Sequence, residues 1–196
     1  MADEIFKRYV FLDRDGVINK DSPDYVKNWS EFEFLPKSLD AIRLLTENKF
    51  TVIVITNQSI INRKMASLDD LEFTHSMMKK TVSEAGGEIK DIFFCPHKPE
   101  DYCACRKPEP GLILEASVKY SIDTEDSVMI GDSAKDIECA RRAGCRHAIL
   151  VKTGNFEQAV SELEKKKISP DYIANDLYEA AGWIIAGADT SPDDCS

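Results

Sequence analysis

The chain has 196 residues, a formal net charge of −10, 43% hydrophobic and 31% charged residues. These are the proportions of an ordinary soluble globular protein, long enough for one domain with a sizeable core. The acid excess argues against a broad nucleic-acid footprint, which needs clustered cations, and no apolar run approaches a membrane span. The acidic start, Met1-Ala2-Asp3-Glu4, lacks the basic and apolar regions of a secretory signal, so a cytoplasmic location is the expectation.

Tyr9-Val10-Phe11-Leu12 reads as a short buried strand leading into Asp13-Arg14-Asp15-Gly16, with Gly16 turning the chain. Residues 20 to 35 form a loop with Tyr25, Trp29 and Phe32, rings that more often pack than line a substrate wall. Pro36 and Ser38 open a helix to about Asn48. Phe50 to Ile55 is a β-branched run, a strand covered on both faces, ending in Thr56-Asn57-Gln58-Ser59. Ser67 caps a helix to about Ala85, stopped by Gly86-Gly87. Ile92 to Phe94 is a third strand, followed by a Cys/His-rich loop and Arg106-Lys107-Pro108.

Leu112, Ile113, Ala116 and Tyr120 mark the next helix. Ser127 to Ile130 is a strand ending in Gly131-Asp132-Ser133, and Ala134 to Ala143 a helix closed by Gly144. His147 to Val151 is a fifth strand, 156 to 167 a solvated helix, Tyr172 to Ala174 a short strand and 176 to 186 a last helix. Strands alternate with helices, which predicts an α/β fold with a doubly wound, mostly parallel sheet. Three strands end in polar clusters, at 13–15, 56–57 and 131–132, and such ends converge on one crevice.

The chemistry of those ends is consistent with one site. Asp13, Asp15 and Asp132 are carboxylates suited to a hard cation such as Mg²⁺. Thr56 and Asn57 offer hydroxyl, amide and backbone N–H groups to anion oxygens, and Lys107 a positive charge, as phosphoryl transfer needs. Cys95, His97, Cys103 and Cys105 lie within eleven residues, and four soft ligands can close a structural Zn²⁺ site. The alternative is four reduced side chains without metal. Cys139 and Cys145 read as core residues, Cys195 as an incidental tail thiol, and His75 and His147 as structural histidines.

Asp13-x-Asp15-Gly16-Val17, Thr56-Asn57, Lys107-Pro108 and Gly131-Asp132-x-x-x-Asp136 resemble the four motifs of the haloacid dehalogenase (HAD) superfamily. They stand in the right order and cover residues 9 to 151. Thr56-Asn57-Gln58-Ser59 and the stretch from Cys95 to Gly111 resemble a narrower branch containing heptose-1,7-bisphosphate 7-phosphatases and histidinol-phosphate phosphatases.

The resemblance implies a HAD-like, Rossmann-type domain over residues 1–186, with a small zinc-binding loop and no large cap domain. Residues 187–196 would be a disordered tail. It implies a Mg²⁺-dependent phosphomonoesterase acting on a small phosphorylated metabolite, a heptose bisphosphate first. Asp13 would be the nucleophile and Asp15 the acid–base group. Mg²⁺ would sit on Asp13, Asp132 and the carbonyl of Asp15. Thr56, Asn57 and Lys107 would hold phosphate oxygens, and Arg63 and Arg106 would contact substrate. Asp136 would orient Lys107 or a metal-bound water; alternatively it is an ordinary first-turn helix acid. A monomer is expected, with no nucleic acid and no membrane. Competing readings are a histidinol-phosphate phosphatase, a polynucleotide 3′-phosphatase and a non-catalytic zinc-stabilised binding protein. The sequence departs from the branch at Ile60-Ile61, where a glycine usually follows the Ser, at Lys64, where another follows the Arg, and at Ser133, where Lys is usual.

Overall fold

The structure is a computed structural model that describes residues 8–188. The acidic start, Cys195 and most of the expected tail lie outside the described residues. The last helix runs to Ala188, two residues into the stretch expected as tail.

Six strands, β1 (Arg8–Leu12), β2 (Phe50–Asn57), β3 (Ile89–Cys95), β4 (Ser127–Gly131), β5 (His147–Val151) and β6 (Tyr172–Ala174), form one sheet in the order β3-β2-β1-β4-β5-β6. Every pairing among them is parallel. Such pairing needs crossovers, supplied by six helices. These are α1 (Ser38–Glu47), α2 (Leu68–Glu84), α3 (Gly111–Tyr120), α4 (Ala134–Ala143), α5 (Phe156–Lys166) and α6 (Leu177–Ala188).

Alternation along β1 sends Val10 and Leu12 to one face and Phe11 to the other. The first face packs on α1, α2 and α6 through Ile42, Leu45, Met78, Val82 and Ile184. The second packs on α3, α4 and α5 through Ile113, Ile137, Ala140 and Leu163. With helices on both sides the central strands read as continuous apolar runs. β3 is longer than its apolar core, Ile92 to Phe94, because it is an edge strand. Polar Lys90 and Asp91 are tolerated there, with a register shift opposite Val52 and Ile53.

Winding proceeds from β1 toward β3 on one side and from β4 toward β6 on the other. The switch point therefore falls between β1 and β4, paired as Val10↔Val128 and Leu12↔Ile130. A crevice opens beyond the carboxyl ends of strands at such a point. The connections rimming it are 13–37, holding only a short 3-10 turn at Trp29–Glu31, then 58–67 and 96–110. No cap domain is inserted among the described residues. Trp29 stacks on Phe32, Phe34 meets both rings edge-on, and all three pack against the core. Tyr25 instead lies beneath the Arg63 guanidinium, 5.8 Å from ring centre to Cζ.

Candidate active site

The last residues of β1 run straight into the crevice. The Asp13 amide donates to the Ile130 carbonyl of β4 at 3.0 Å, fixing Asp13 at the switch point. Its Oδ1 receives the Arg14 amide at 2.7 Å and the Lys107 ammonium at 2.8 Å. Lys107 is 3% exposed and also meets Asp136 Oδ1 at 2.6 Å and the Ile55 carbonyl at 2.8 Å. Burying a cation is costly unless it is paired. Burial alone would lower its pKa, but Asp13 and Asp136 outweigh that and hold Lys107 firmly protonated.

Asp136 makes two kinds of contact. It pairs with Lys107, and its Oδ2 accepts from the amide and hydroxyl of Ser133 in the capping box of α4.

Asp132 follows β4 beside Asp13, and the two carboxylates reach within 4.8 Å of each other. Asp132 is 4% exposed and accepts one hydrogen bond, from the Asn155 amide at 3.2 Å. Burial, then the charge of Asp136, pushes its pKa up to about 7. Burial likewise raises Asp13 well above the usual carboxylate range, with Lys107 opposing. Buried oxygens whose charge is this poorly compensated suit a hard divalent cation. Two glycines make room for them. Gly16, at φ +79°, and Gly154 each lie so close to Asp132 that an added Cβ would overlap its carboxylate.

Asp15 lies in the opposite setting. Arg14 forks onto it, Nη2 to Oδ1 at 2.8 Å and to Oδ2 at 3.0 Å. Asn19 and Gln58 donate to it at 2.9 and 2.8 Å. Burial works to raise its pKa, but Arg14 and these hydrogen bonds win and hold it below the usual range. Gln58 also donates to Thr56 Oγ1 at 2.9 Å, linking the end of β2 to Asp15.

Asn57 grips the backbone of Lys107 from both sides. Its Nδ2 donates to the Lys107 carbonyl and its Oδ1 accepts from the Lys107 amide, each at 3.1 Å. Its side-chain amide, read from sequence as an anion donor, thus seats the lysine. Arg63 and Arg106 stand at the rim, Arg106 anchored to the His97 carbonyl at 3.0 Å.

The four soft ligands close together. Cys95, His97, Cys103 and Cys105 show sulfur–sulfur and sulfur–Nδ1 distances of 3.1 to 3.5 Å. A zinc tetrahedron with bonds of about 2.3 Å has edges of about 3.8 Å, so a small expansion would seat the ion. The cysteines are unpaired as disulfides. Cys139 and Cys145 are buried in the core as expected.

Sequence reasoning did not single out Arg14, Asn19 or His75 as part of the site, nor Gln58 as a partner of Asp15. Gln58 stands in a quoted motif, but its partner is 43 residues away. Arg14 looks like a surface charge in the sequence yet is 1% exposed.

Comparison with known proteins adds names. A family model described as HAD-hydrolase-like matches residues 104–180. A D-glycero-beta-D-manno-heptose-1,7-bisphosphate 7-phosphatase of Pseudomonas aeruginosa is 41% identical over 176 residues, 90% of this chain and 97% of that protein. The corresponding alpha-named enzyme of Photorhabdus laumondii is 38% identical over 155 residues, 76% of this chain and 84% of that one. The crystal structure of D,D-heptose 1,7-bisphosphate phosphatase from Bordetella bronchiseptica, complexed with magnesium and phosphate, superposes with a TM-score of 0.86. It is 36% identical, covering 92% of this chain and 99% of the other.

Proposed function

The chain belongs to the heptose-1,7-bisphosphate 7-phosphatase family of HAD-like hydrolases, and we propose that it removes the 7-phosphate from a heptose 1,7-bisphosphate. It is a phosphomonoesterase, and the reading of its chemistry rests on one observation. Asp13, just past β1, shares the buried Lys107 with Asp136 in the first turn of α4, opposite Asp132 just past β4.

Asp13 is the nucleophile in this reading. Its Oδ1 is occupied by the Arg14 amide and Lys107, which leaves Oδ2 to attack phosphorus. A P–Oδ bond forms as the ester P–O bond breaks, giving an aspartyl phosphate. Asp15, held ionised by Arg14 before substrate arrives, takes up a proton as the anionic phosphate binds beside it and gives it to the departing oxygen, then takes one from the water that hydrolyses the acyl phosphate. Lys107 neutralises charge beside Asp13, and Thr56 would hold a phosphate oxygen. Asp13, Asp132 and the Asp15 carbonyl would hold Mg²⁺, which when bound offsets charge on the phosphoryl oxygens. Cys95, His97, Cys103 and Cys105 would hold Zn²⁺ and so fix the loop bearing Arg106 and Lys107. The described residues act as one domain, and the protein works as a cytoplasmic monomer without nucleic-acid or membrane partners.

The second phosphate of the substrate calls for cations at the rim. Arg63, over Tyr25, and Arg106 make no ion pair among the described residues and present forks suited to phosphate. A cavity of about 480 Å³ beside Lys107 is lined by Tyr102, Arg106 and Lys135. Lys135 supplies there the kind of charge that Ser133 does not. The test is kcat/KM for both anomers of heptose 1,7-bisphosphate and for histidinol phosphate, on wild type and Arg106→Ala. The bisphosphate should be preferred, and Arg106→Ala should weaken it about tenfold more than a monophosphate. Better hydrolysis of histidinol phosphate, or equal losses in the variant, would remove the heptose assignment.

A further inference from the structure

Resting on the reading of Asp15 as the acid–base group, we infer that Arg14 and His75 form a strut that positions the Asp15 carboxyl. Arg14 holds Asp15 directly, and His75 holds Arg14. Neither has a role in binding phosphate or metal.

Neighbouring residues of an extended chain point to opposite sides. At the end of β1 the chain folds back instead. The Arg14 carbonyl accepts from the amides of Ile18 and Asn19 at 2.8 and 3.1 Å. That turn lets the Arg14 side chain meet its own neighbour. Nε and Nη2 both face Asp15, at 3.2 and 2.8 Å from Oδ1.

A planar fork fixes a carboxylate only when the fork itself is fixed. Arg14 is 1% exposed, and three further contacts hold it. Its Nη1 meets His75 Nε2 at 3.4 Å. Its guanidinium carbon stands 6.0 Å from the centre of the Phe32 ring. Its own amide donates to Asp13. His75 comes from α2, 61 residues away, and sits edge-on to Phe94 of β3. Burial, then the Arg14 charge, lowers its pKa to about 3, so the ring is neutral and its Nε2 accepts from the guanidinium.

Asp15 is Arg14's one carboxylate partner among the described residues. The Asp15 side chain, just past the carboxyl end of β1, is 22% exposed. A buried cation that served the fold alone would be expected to pair with a buried anion. This one supports a group that faces substrate.

The departing oxygen decides how much Asp15's aim matters. An alkoxide is a poor leaving group and needs the proton as the P–O bond breaks. A p-nitrophenolate leaves as a stable anion and needs it far less. The experiment compares kcat/KM for a heptose bisphosphate, an alkyl ester, with that for p-nitrophenyl phosphate. The enzymes are wild type, Arg14→Lys, His75→Leu and His75→Gln, with circular dichroism and Mg²⁺ requirement measured alongside.

Arg14→Lys and His75→Leu should lose about tenfold or more on the alkyl ester and less than about threefold on the aryl ester. His75→Gln keeps an acceptor for Arg14 and should recover most of that loss. If Arg14→Lys fails to fold, the two His75 variants decide. Equal losses on both esters, no loss on either, or no difference between Gln and Leu at position 75 would each overturn the strut. Failure of the wild type to hydrolyse either ester would overturn the phosphatase reading as well.

Discussion

Asp13 and Asp15 stand two residues apart yet occupy opposite electrostatic settings. Asp13 is half-buried beside Asp132 and Asp136 around one lysine, and desolvation drives its pKa up. Asp15 takes donors on both oxygens and is held down. The split suits different tasks, since a metal or lysine can charge the first while side chains aim the second. Asp13→Asn should therefore reduce kcat by more than about a thousandfold with an unchanged circular dichroism spectrum. A variant retaining a tenth of the wild-type rate would dismiss Asp13 as nucleophile. Asp13, Asp15 and Asp132 were legible because each stands in a short motif just past a strand, and Lys107 because it follows the Cys/His-rich loop. Arg14, Asn19 and His75 were not. Their importance comes from a turn that brings sequence neighbours together and from a helix contact 61 residues distant. Neither leaves a periodic trace.

Strands and helices were legible wherever one face had to be apolar, as in β2 and α4. Their limits blurred where that pressure lapsed, as in the polar half of the edge strand β3. The loops between them carry the site, and two can be tested as units. The 96–110 loop is stitched by four soft ligands at one end and by Asn57 gripping Lys107 at the other. Cys103→Ala should lower Tm by about 5–10 °C and activity together, without rescue by Mg²⁺. Purified wild type lacking zinc by elemental analysis would remove the metal from this account. The loop after β5 works differently. Gly154 lies against Asp132, and a methyl there would overlap the carboxylate and the Cβ of that buried side chain, so Asp132 must shift as a whole. Gly154→Ala should raise the Mg²⁺ concentration for half-maximal activity about tenfold, beyond any fall in Tm, because the shifted residue is Asp132. A large drop in Tm with an unchanged metal requirement would place Gly154 in the scaffold alone.

The winding of the whole molecule gathers acids into one crevice at the carboxyl edge of the sheet. Outward winding from β1 and β4 puts the ends of both strands side by side. The helices covering both faces leave only the carboxyl edge open. Asp13, Asp132 and Asp136 thus meet with a single buried cation among them. Without metal this arrangement works against the fold, and the sign of the effect can be derived. Asp132 titrates at about 7 in the folded protein, against about 3.9 for an unfolded aspartate. Between those values the native state holds a proton that the unfolded chain has lost. The unfolded state binds fewer protons, so metal-free stability falls as pH rises through that window. Mg²⁺ requires the deprotonated carboxylates, so its contribution grows over the same window. Thermal melts with and without added Mg²⁺ should show a small gain in Tm near about pH 5.5 and a larger one near about pH 8. Asp132→Asn should abolish that growth. A gain independent of pH, or greatest in acid, would mean that the cation binds away from the β1–β4 crevice.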